Sequence, residues 1–445
     1  MYMLISMMEK GCRVGFFGLG QSSTALLEHL PLKNCRITLR SDSYINWAAI
    51  PCGAKIERIY VGKSAYNQID EDIIIFSPSV RRDRPELAEA MARGVYFTSD
   101  AELFFDRVQK PIFAVTGSDG KSTTATLTSL LLKDGGVNTS LVGNIGVPMM
   151  PEINRAGAFV VELSSFMLTY GRPKAKRGCI TNITPNHLDW HKSFEEYKKT
   201  KISLLKSCEE FVISDELMDI NGAYGIVSDR YDFNSLSSIY RAEIYVTAED
   251  GFICKNGKRI ADIQEIKRKE KHNVKNAMMA IAMADGFSDE SSIRRVLGDF
   301  EGLPHRCERV ITVNGTDFFN SSIDSTPRRT AMTLESLGRR VAIILGGKSK
   351  GLDFEDLLPA LRQYAARVII TGENAEEIYN AIGKETDAVI IDGFEAAIKE
   401  GARCAKDIGA LLLSPASTSY DLFRNYAERG ERYKEIIKNY IIAGQ

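Results

Sequence analysis

No run of eighteen apolar residues occurs in the 445-residue chain, which excludes a helix of bilayer-spanning length. Nor does Met1 to Gly20 read as a cleavable leader, because Glu9, Lys10 and Arg13 interrupt its apolar residues. An excess of one charge is missing too: 57 Lys and Arg stand against 58 Asp and Glu, a net charge of −1. That balance argues against broad electrostatic binding to nucleic acid or to a membrane surface. The eight cysteines (12, 35, 52, 179, 208, 254, 307, 404) contain no C-x-x-C pair. Scattered, and several set in apolar runs, they read as reduced, mostly buried thiols and not as a disulfide framework or zinc site. Internal repeats and low-complexity segments are absent. These absences describe a cytoplasmic protein that inserts in no membrane and binds no nucleic acid.

What is present is a globular composition, 44% hydrophobic and 26% charged, unlike that of a disordered tail or a fibre. At roughly 150 residues per domain the length predicts about three domains. Short apolar runs at Val14–Phe17, Ile73–Phe76, Ile112–Val115, Phe159–Val161, Val341–Leu345, Val368–Ile370, Val389–Ile391 and Leu411–Leu413 read as buried parallel strands. Amphipathic windows follow many of them: Ser122–Leu132, Asn276–Ala284, Phe354–Tyr364 and Phe394–Ala405. The alternation predicts α/β domains with right-handed crossovers. Around 242–262 the pattern changes to a small antiparallel meander with turns at Asp250-Gly251 and Asn256-Gly257. Boundaries near Lys110-Pro111 and Gly302–Pro304 give domains of about 1–109, 110–308 and 309–445.

The strongest local signal is Gly117-Ser118-Asp119-Gly120-Lys121-Ser122-Thr123, between an apolar strand and a helical window. Backbone N–H groups at such a helix start cradle phosphate, the lysine reaches the β/γ-phosphates, and the Ser122 hydroxyl suits Mg²⁺. The loop is a shortened P-loop, since Val115 stands where the usual first glycine would be. Downstream, Glu162 ends one apolar strand, and Asn182-Ile183-Thr184-Pro185-Asn186-His187-Leu188-Asp189 follows another. A lone Glu or His at a strand end is more often a surface or capping residue. Three such ends carrying Lys/Ser, Glu and His/Asp favour a Mg²⁺–triphosphate site, because open α/β sheets bind ligands at the carboxyl ends of their strands. Near the amino terminus, Gly18-Leu19-Gly20-Gln21-Ser22-Ser23 is a dinucleotide-like turn lacking its third glycine. It can hold a phosphate or simply pack, and these residues alone do not choose.

Together these motifs resemble the Mur ligase family, the ATP-dependent amide-bond ligases of peptidoglycan precursor synthesis. The resemblance runs through G-S-D-G-K-S-T (117–123), G-N-I-G (143–146), E-L-S-S-F (162–166), N-I-T-P-N-H-L-D (182–189) and H-N-V-K-N (272–276). It continues in G-L-P-H-R-C-E (302–308), L-G-G-K-S-K-G-L-D-F (345–354) and L-S-P-A-S-T-S-Y-D (413–421). It implies a three-domain α/β protein: a Rossmann-like domain binding a UDP substrate, a central P-loop ATPase-like parallel sheet carrying the meander, and a Rossmann-like amino-acid domain. The likeness is greatest to members that add D-glutamate to UDP-N-acetylmuramoyl-L-alanine (UDP-MurNAc-L-alanine), through an acyl phosphate. Implied cofactors are ATP, two Mg²⁺ ions and a CO₂-derived carbamate on Lys201. Lys121 would contact the γ-phosphate, with Ser122 and Glu162 at one metal and His187 and Lys201 at the other. Gly117, Ser118, Asp119, Gly120, Thr123, Asn273, Asn276 and Arg306 fall at nucleotide positions. Gly20, Gln21, Ser22, Ser77 and Asn144 fall on the UDP-substrate side, as do Arg40 and Asp42 after the second strand. Lys350, Ser419 and Tyr426 match the D-glutamate pocket.

Two departures stand out. A D-S-K-A-T-N segment is usual in the third domain of the D-glutamate-adding members, and neither register of residues 320–330 keeps its lysine. One register puts Thr326 there and the other Ile323, so the expectation is that Arg328 supplies the charge. Ser79 also replaces a usual glycine in Ser77-Pro78-Ser79. Competing readings are a ligase of the same family with another acceptor, such as folylpolyglutamate synthase, and a catalytically inactive nucleotide-binding regulator. Retention of Lys121, Glu162, His187 and Lys201 argues against the regulator. A nicotinamide oxidoreductase lacks any catalytic set. The chain is expected to act as a monomer on small anionic substrates.

Overall fold

The computed structural model describes residues 2–42, 50, 55–78, 80–188, 190–217, 219–349 and 353–443. Their strands form three sheets, and the chain divides into two compact units, Met1–Phe300 and Glu301–Gln445. The first unit holds two of the sheets.

The amino-terminal sheet is all parallel, in the spatial order Ile56–Val61, Arg36–Ser41, Arg13–Phe17, Ile73–Phe76, Tyr96–Ser99. The chain moves outward from Arg13–Phe17 in one direction, then returns to lay Ile73–Phe76 on the other side. That reversal opens a crevice at the carboxyl ends of these two strands, where a doubly wound sheet binds its ligand. The second sheet runs Lys258–Asp262, Phe252–Lys255, Ile244–Glu249, Gly225–Ser228, Cys208–Ser214, Ala175–Ile180, Ile112–Thr116, Ala158–Glu162, Thr139–Gly143. Its interior strand Ile112–Thr116, Ile-Phe-Ala-Val-Thr, is buried along its whole length because helices cover both faces. The expected meander forms at the expected turns but is not a separate piece: Ile244–Glu249 pairs parallel with Gly225–Ser228, so the hairpins extend the parallel sheet. The two sheets also share one hydrophobic core. Leu4, Phe16, Ile75 and Phe104 join Ile112, Val142, Phe159 and Leu204 in a single cluster. The rings of Phe104 and Phe159 meet edge to face at 5.0 Å.

The second unit is a six-stranded sheet ordered Glu308–Val313, Thr316–Asn320, Ala410–Leu413, Val341–Leu345, Ala365–Ile370, Ala388–Ile390. All pairs are parallel except Glu308–Val313 with Thr316–Asn320. Helices cover both faces over separate apolar clusters.

Three expectations need correction. The window Phe354–Tyr364 is a 3₁₀ turn, Glu355–Leu357, followed by a short helix, Leu358–Tyr364; Pro359 suits a first helical turn, not an interior. Ala388–Ile390 forms the predicted parallel strand but is half-buried, since it lies at the sheet edge. Of the seven described cysteines, Cys35, Cys179 and Cys254 are buried and the other four are half-buried.

Candidate active site

Strand Ile112–Thr116 delivers Gly117–Gly120 to the start of helix Lys121–Asp134. Two glycines there are dictated by space. A Cβ on Gly117 would lie 1.9 Å from Thr181 Oγ1, and one on Gly120 would lie 2.2 Å from Asn276 Oδ1; both have positive φ, +147° and +76°. The loop is fastened to the segment after the neighbouring strand. Ser118 N–H donates to the Asn182 carbonyl and Asp119 N–H to Asn182 Oδ1, each at 2.9 Å. Thr181 Oγ1 donates to the Asp119 carbonyl at 2.5 Å. The Ser118 hydroxyl accepts from Thr184 N–H and meets Tyr197 OH, again at 2.9 Å. Ser118 is therefore a buried scaffold group, and its hydroxyl is already engaged inside the protein. Ser122 and Thr123 are buried in the first helical turn, and Lys121 Nζ folds over the loop to the Ser118 carbonyl at 2.7 Å.

Beside the loop, Glu162 ends strand Ala158–Glu162 in register with Val115. It is fully buried. Asn144 holds it twice, Nδ2 donating to Oε1 at 2.7 Å and the backbone N–H to the Glu162 carbonyl at 2.9 Å. Oε2 has no hydrogen-bond partner among the described residues. A buried carboxylate oxygen left so is costly, and it marks a position for a cation or a water.

Lys201, from helix Phe194–Ile202, enters from the other side and is 1% exposed. Its Nζ donates to the Gly117 carbonyl at 2.7 Å and lies 4.7 Å from the Tyr197 ring centroid. Burial, and next the Lys121 cation, hold its amine well below the ordinary lysine value. A lysine in that setting favours the uncharged, nucleophilic form. Thr116, Gly143, Glu162 and Thr181 all stand at the carboxyl edge of one sheet, so the fold brings the loop, the carboxylate and the lysine together.

Other expected residues are placed less centrally. His187 is exposed, with φ +53°, and its ring meets Phe166, four residues after Glu162, at 4.9 Å. Asn276 is buried against Gly120, whereas half-buried Asn273 donates to Glu270 at 3.0 Å. In the amino-terminal crevice, Gly18 and Ser77 are in contact, and Gly20 caps helix Gln21–His29, whose second residue is Ser22. Asp42 accepts from Tyr66 OH at 2.9 Å. Arg40 is a correction. Its guanidinium is fully buried, bound to both Glu71 oxygens and to the carbonyls of Ala65, Asn67 and Gln68. All its N–H groups are spent inside the protein, so it offers no donor to a ligand. Ser79, Asp189 and Lys350 lie outside the described residues, as does the side chain of Gln21.

In the second unit, Arg328 is the second residue of helix Pro327–Leu337, exposed and without an ion-pair partner among the described residues. Arg306 N–H donates to the Leu303 carbonyl at 3.3 Å. Ser419 is buried, and Tyr426 opens helix Tyr426–Ala443 with its ring 6.1 Å from His305. The structure adds Arg429, which the sequence reading missed. Buried, it bonds to the Ser322, Ser417 and Thr418 carbonyls and to Ser322 Oγ, tying together two turns at strand ends. Burial lowers it to about 10. His191 was missed as well: it is 1% exposed, with neither ring nitrogen hydrogen-bonded among the described residues. The sequence signal was its spacing of four from His187.

Fold and loop define an α/β protein with a glycine turn of the P-loop kind between a buried strand and a helix. The Mur ligase middle domain model matches residues 115–284, and the model for the Mur ligase, glutamate ligase domain matches 305–417. Proteins named UDP-N-acetylmuramoylalanine--D-glutamate ligase from Clostridium botulinum (strain 657 / Type Ba4) and Clostridium tetani (strain Massachusetts / E88) are each 32% identical to this chain, with 96% of both partners covered. The solved UDP-N-acetylmuramate-alanine ligase of Thermotoga maritima shares the fold with a TM-score of 0.58 at 19% identity, covering 96% of this chain and 99% of that one. A murein peptide ligase from Psychrobacter arcticus gives 0.51 at 17%, covering 97% and 98%. The chain belongs to the Mur ligase family, a family of ATP-dependent ligases.

Proposed function

We propose that this enzyme joins D-glutamate to UDP-N-acetylmuramoyl-L-alanine with cleavage of ATP to ADP and phosphate. The observation that carries the reading is the unpartnered Glu162 Oε2 beside a buried Lys201 at a phosphate-cradling loop. The reaction named for the 32%-identical relatives supplies the substrates.

In this reading the L-alanyl carboxylate attacks the γ-phosphorus, ADP leaves, and an acyl phosphate forms. The D-glutamate amine then attacks the acyl carbonyl, loses a proton, and phosphate departs. Backbone N–H groups at the start of helix Lys121–Asp134 orient the triphosphate, those of Ser118 and Asp119 being engaged by Asn182, and Lys121 follows the γ-phosphoryl group. Asn273, Asn276 and Arg306 serve the nucleotide, and Asn144 the muramoyl side. The crevice around Gly20, Gln21, Ser22 and Ser77 takes the uridine diphosphate. The 309–445 region takes the amino acid through Arg328, Lys350, Ser419 and Tyr426.

The residues present fit Mg²⁺. Glu162 Oε2 and the Ser122 hydroxyl are hard oxygen donors, and phosphate oxygens and water complete such a shell. A second ion would be held by His187 and by Lys201, once the uncharged amine has added CO₂ and released a proton to become an anionic oxygen donor. Bound there, the ions would offset charge on the transferring phosphoryl group. We read the enzyme as a cytoplasmic monomer; among the described residues no helix is long and apolar enough to cross a membrane.

The test is phosphate release from ATP, Mg²⁺ and UDP-N-acetylmuramoyl-L-alanine across a panel of L- and D-amino acids. Release with D-glutamate alone supports the assignment. Release with another amino acid moves it to a different ligase, and no release with any leaves a nucleotide-binding regulator.

A further inference from the structure

His187 has left-handed backbone, φ +53°, which is unfavourable for a residue with a side chain and persists where surrounding contacts impose it. Its carbonyl is gripped twice, by the Trp190 N–H at 3.1 Å and the His191 N–H at 2.9 Å. The His191 side chain is buried. The Trp190 ring packs at 4.8 Å on Phe166, the same ring that His187 meets. Trp190 in turn is held from the neighbouring sheet of the same unit.

Strand Ile73–Phe76 ends at the amino-terminal crevice, and after Ser77 the chain turns, Val80 N–H donating to the Ser77 carbonyl at 3.0 Å. The next residue, Arg81, crosses to the central sheet. Its guanidinium lies over the Trp190 ring, 4.9 Å from the centroid, and Nη1 donates to the Trp190 carbonyl. Nε and Nη2 donate to the two Asp83 oxygens at 2.9 and 2.6 Å, and Asp83 Oδ2 also meets Lys192 Nζ at 3.2 Å. Arg82 anchors the segment from behind. Its N–H donates to Tyr170 OH at 2.8 Å, and its guanidinium covers the Tyr170 ring at 4.2 Å and binds Glu102 at 2.6 Å.

An exposed pair such as Lys192 with Asp83 contributes little alone. A planar guanidinium that spends one edge on a carboxylate, another N–H on a carbonyl and its face on an indole is different, because those three demands fix its place and that of the indole. We propose that Arg81 is a positioning residue: it clamps Trp190 and so holds His187 in the backbone conformation from which the imidazole serves the second ion. This rests on His187 being a donor to that ion, as proposed above. The clamp also ties the segment leaving the substrate crevice to the turn that carries the metal-side histidine.

The experiment measures Mn²⁺ binding to the full chain in the presence of a non-hydrolysable ATP analogue, by electron paramagnetic resonance, alongside phosphate release with Mg²⁺. The proteins compared are wild type, Arg81→Ala, Arg81→Lys, His187→Ala and the double variant Arg81→Ala/His187→Ala. Wild type is expected to bind two ions, and His187→Ala to lose most of its affinity for one of them. Arg81→Ala should weaken that same ion by about tenfold or more and lower kcat similarly, with KM for ATP and for UDP-N-acetylmuramoyl-L-alanine within about twofold. Arg81→Lys keeps the charge but not the fork, and should recover little. In the double variant the arginine change should cost nothing beyond His187→Ala, because the clamp acts through that residue. Unchanged Mn²⁺ binding in a folded Arg81→Ala protein overturns the proposal, as do additive losses in the double variant or full recovery by lysine. If wild type binds a single ion, or His187→Ala binds both as wild type does, the assignment of His187 falls first, and the clamp with it.

Discussion

The two glycine turns that lead from strand to helix in the first unit, Gly117–Gly120 and Gly18–Ser22, are built on different plans. Gly117–Gly120 is fixed: backbone and side-chain bonds fasten it to Thr181–Thr184, and both glycines sit where a Cβ would collide. In Gly18–Ser22 the first glycine is likewise confined, at φ +85° with a would-be Cβ 2.8 Å from Ser77 Cβ, but Gly20 is in extended backbone with nothing within 4 Å of a would-be Cβ. Support for the second turn comes from beneath, where Arg40 donates to Glu71 and its carbonyl accepts from Gly18 N–H. A loop that orients a reacting phosphoryl group needs fixed geometry, because small displacements there cost rate. A loop that only holds a diphosphate ester tolerates adjustment.

The sharpest way to break this comparison is a methyl group in each turn. Gly117→Ala should lower phosphate release by about a thousandfold, since its methyl would collide with Thr181 and displace the loop proposed to hold the triphosphate. Gly20→Ala should stay within about threefold, its added methyl meeting no atom. Equal losses in a kinetic assay would erase the distinction. Next in size is Lys201→Ala, which removes the group donating to the Gly117 carbonyl. Activity should drop about a hundredfold and recover in part with added short carboxylates; a fully active variant refutes its place at the metal site.

The third contrast concerns stability. Arg40→Met leaves Glu71 buried and unpaired, at a cost of about 3–5 kcal/mol in denaturant unfolding. The double variant Arg40→Met/Glu71→Leu should regain most of it. Lys121→Met should abolish phosphate release and leave unfolding nearly unchanged. The last variant is Asp100→Asn. A carboxyl raised from 3.8 to about 6 in the folded chain favours folding most at low pH, and that contribution is lost as pH rises through 6. The asparagine variant should therefore be more stable than wild type at pH 7.5, by at most about 3 kcal/mol, and equal to it below pH 4.

Much of this architecture is legible in residue order. Apolar runs such as Ile73–Phe76 and Val341–Leu345 are buried strands because parallel sheets are covered on both faces. Glu162 is legible as well, being a carboxylate that closes such a run. What escaped is buried polarity whose partner lies far along the chain. Arg40 ends an apolar strand and looks available, but its burial depends on Glu71, 31 residues away. Arg429 sits in a charged helix, and only the folded chain brings it to Ser322, 107 residues earlier. Asp100 likewise reads as an ordinary first-turn acid, yet the fold buries it to 5% exposure. Local pattern reports burial of apolar groups well, because periodicity encodes it. It carries no record of which distant residue will neutralise a buried charge.

The apolar cluster shared by the first two sheets bears on how this chain can be dismantled. Residues on either side of Lys110 lean on each other, Phe104 against Phe159 among them. A chain severed at that point would expose the facing sides of both halves to water. The first 300 residues should thus melt in one cooperative step, and proteolytic nicking at the connection should yield aggregation-prone pieces in place of two soluble fragments.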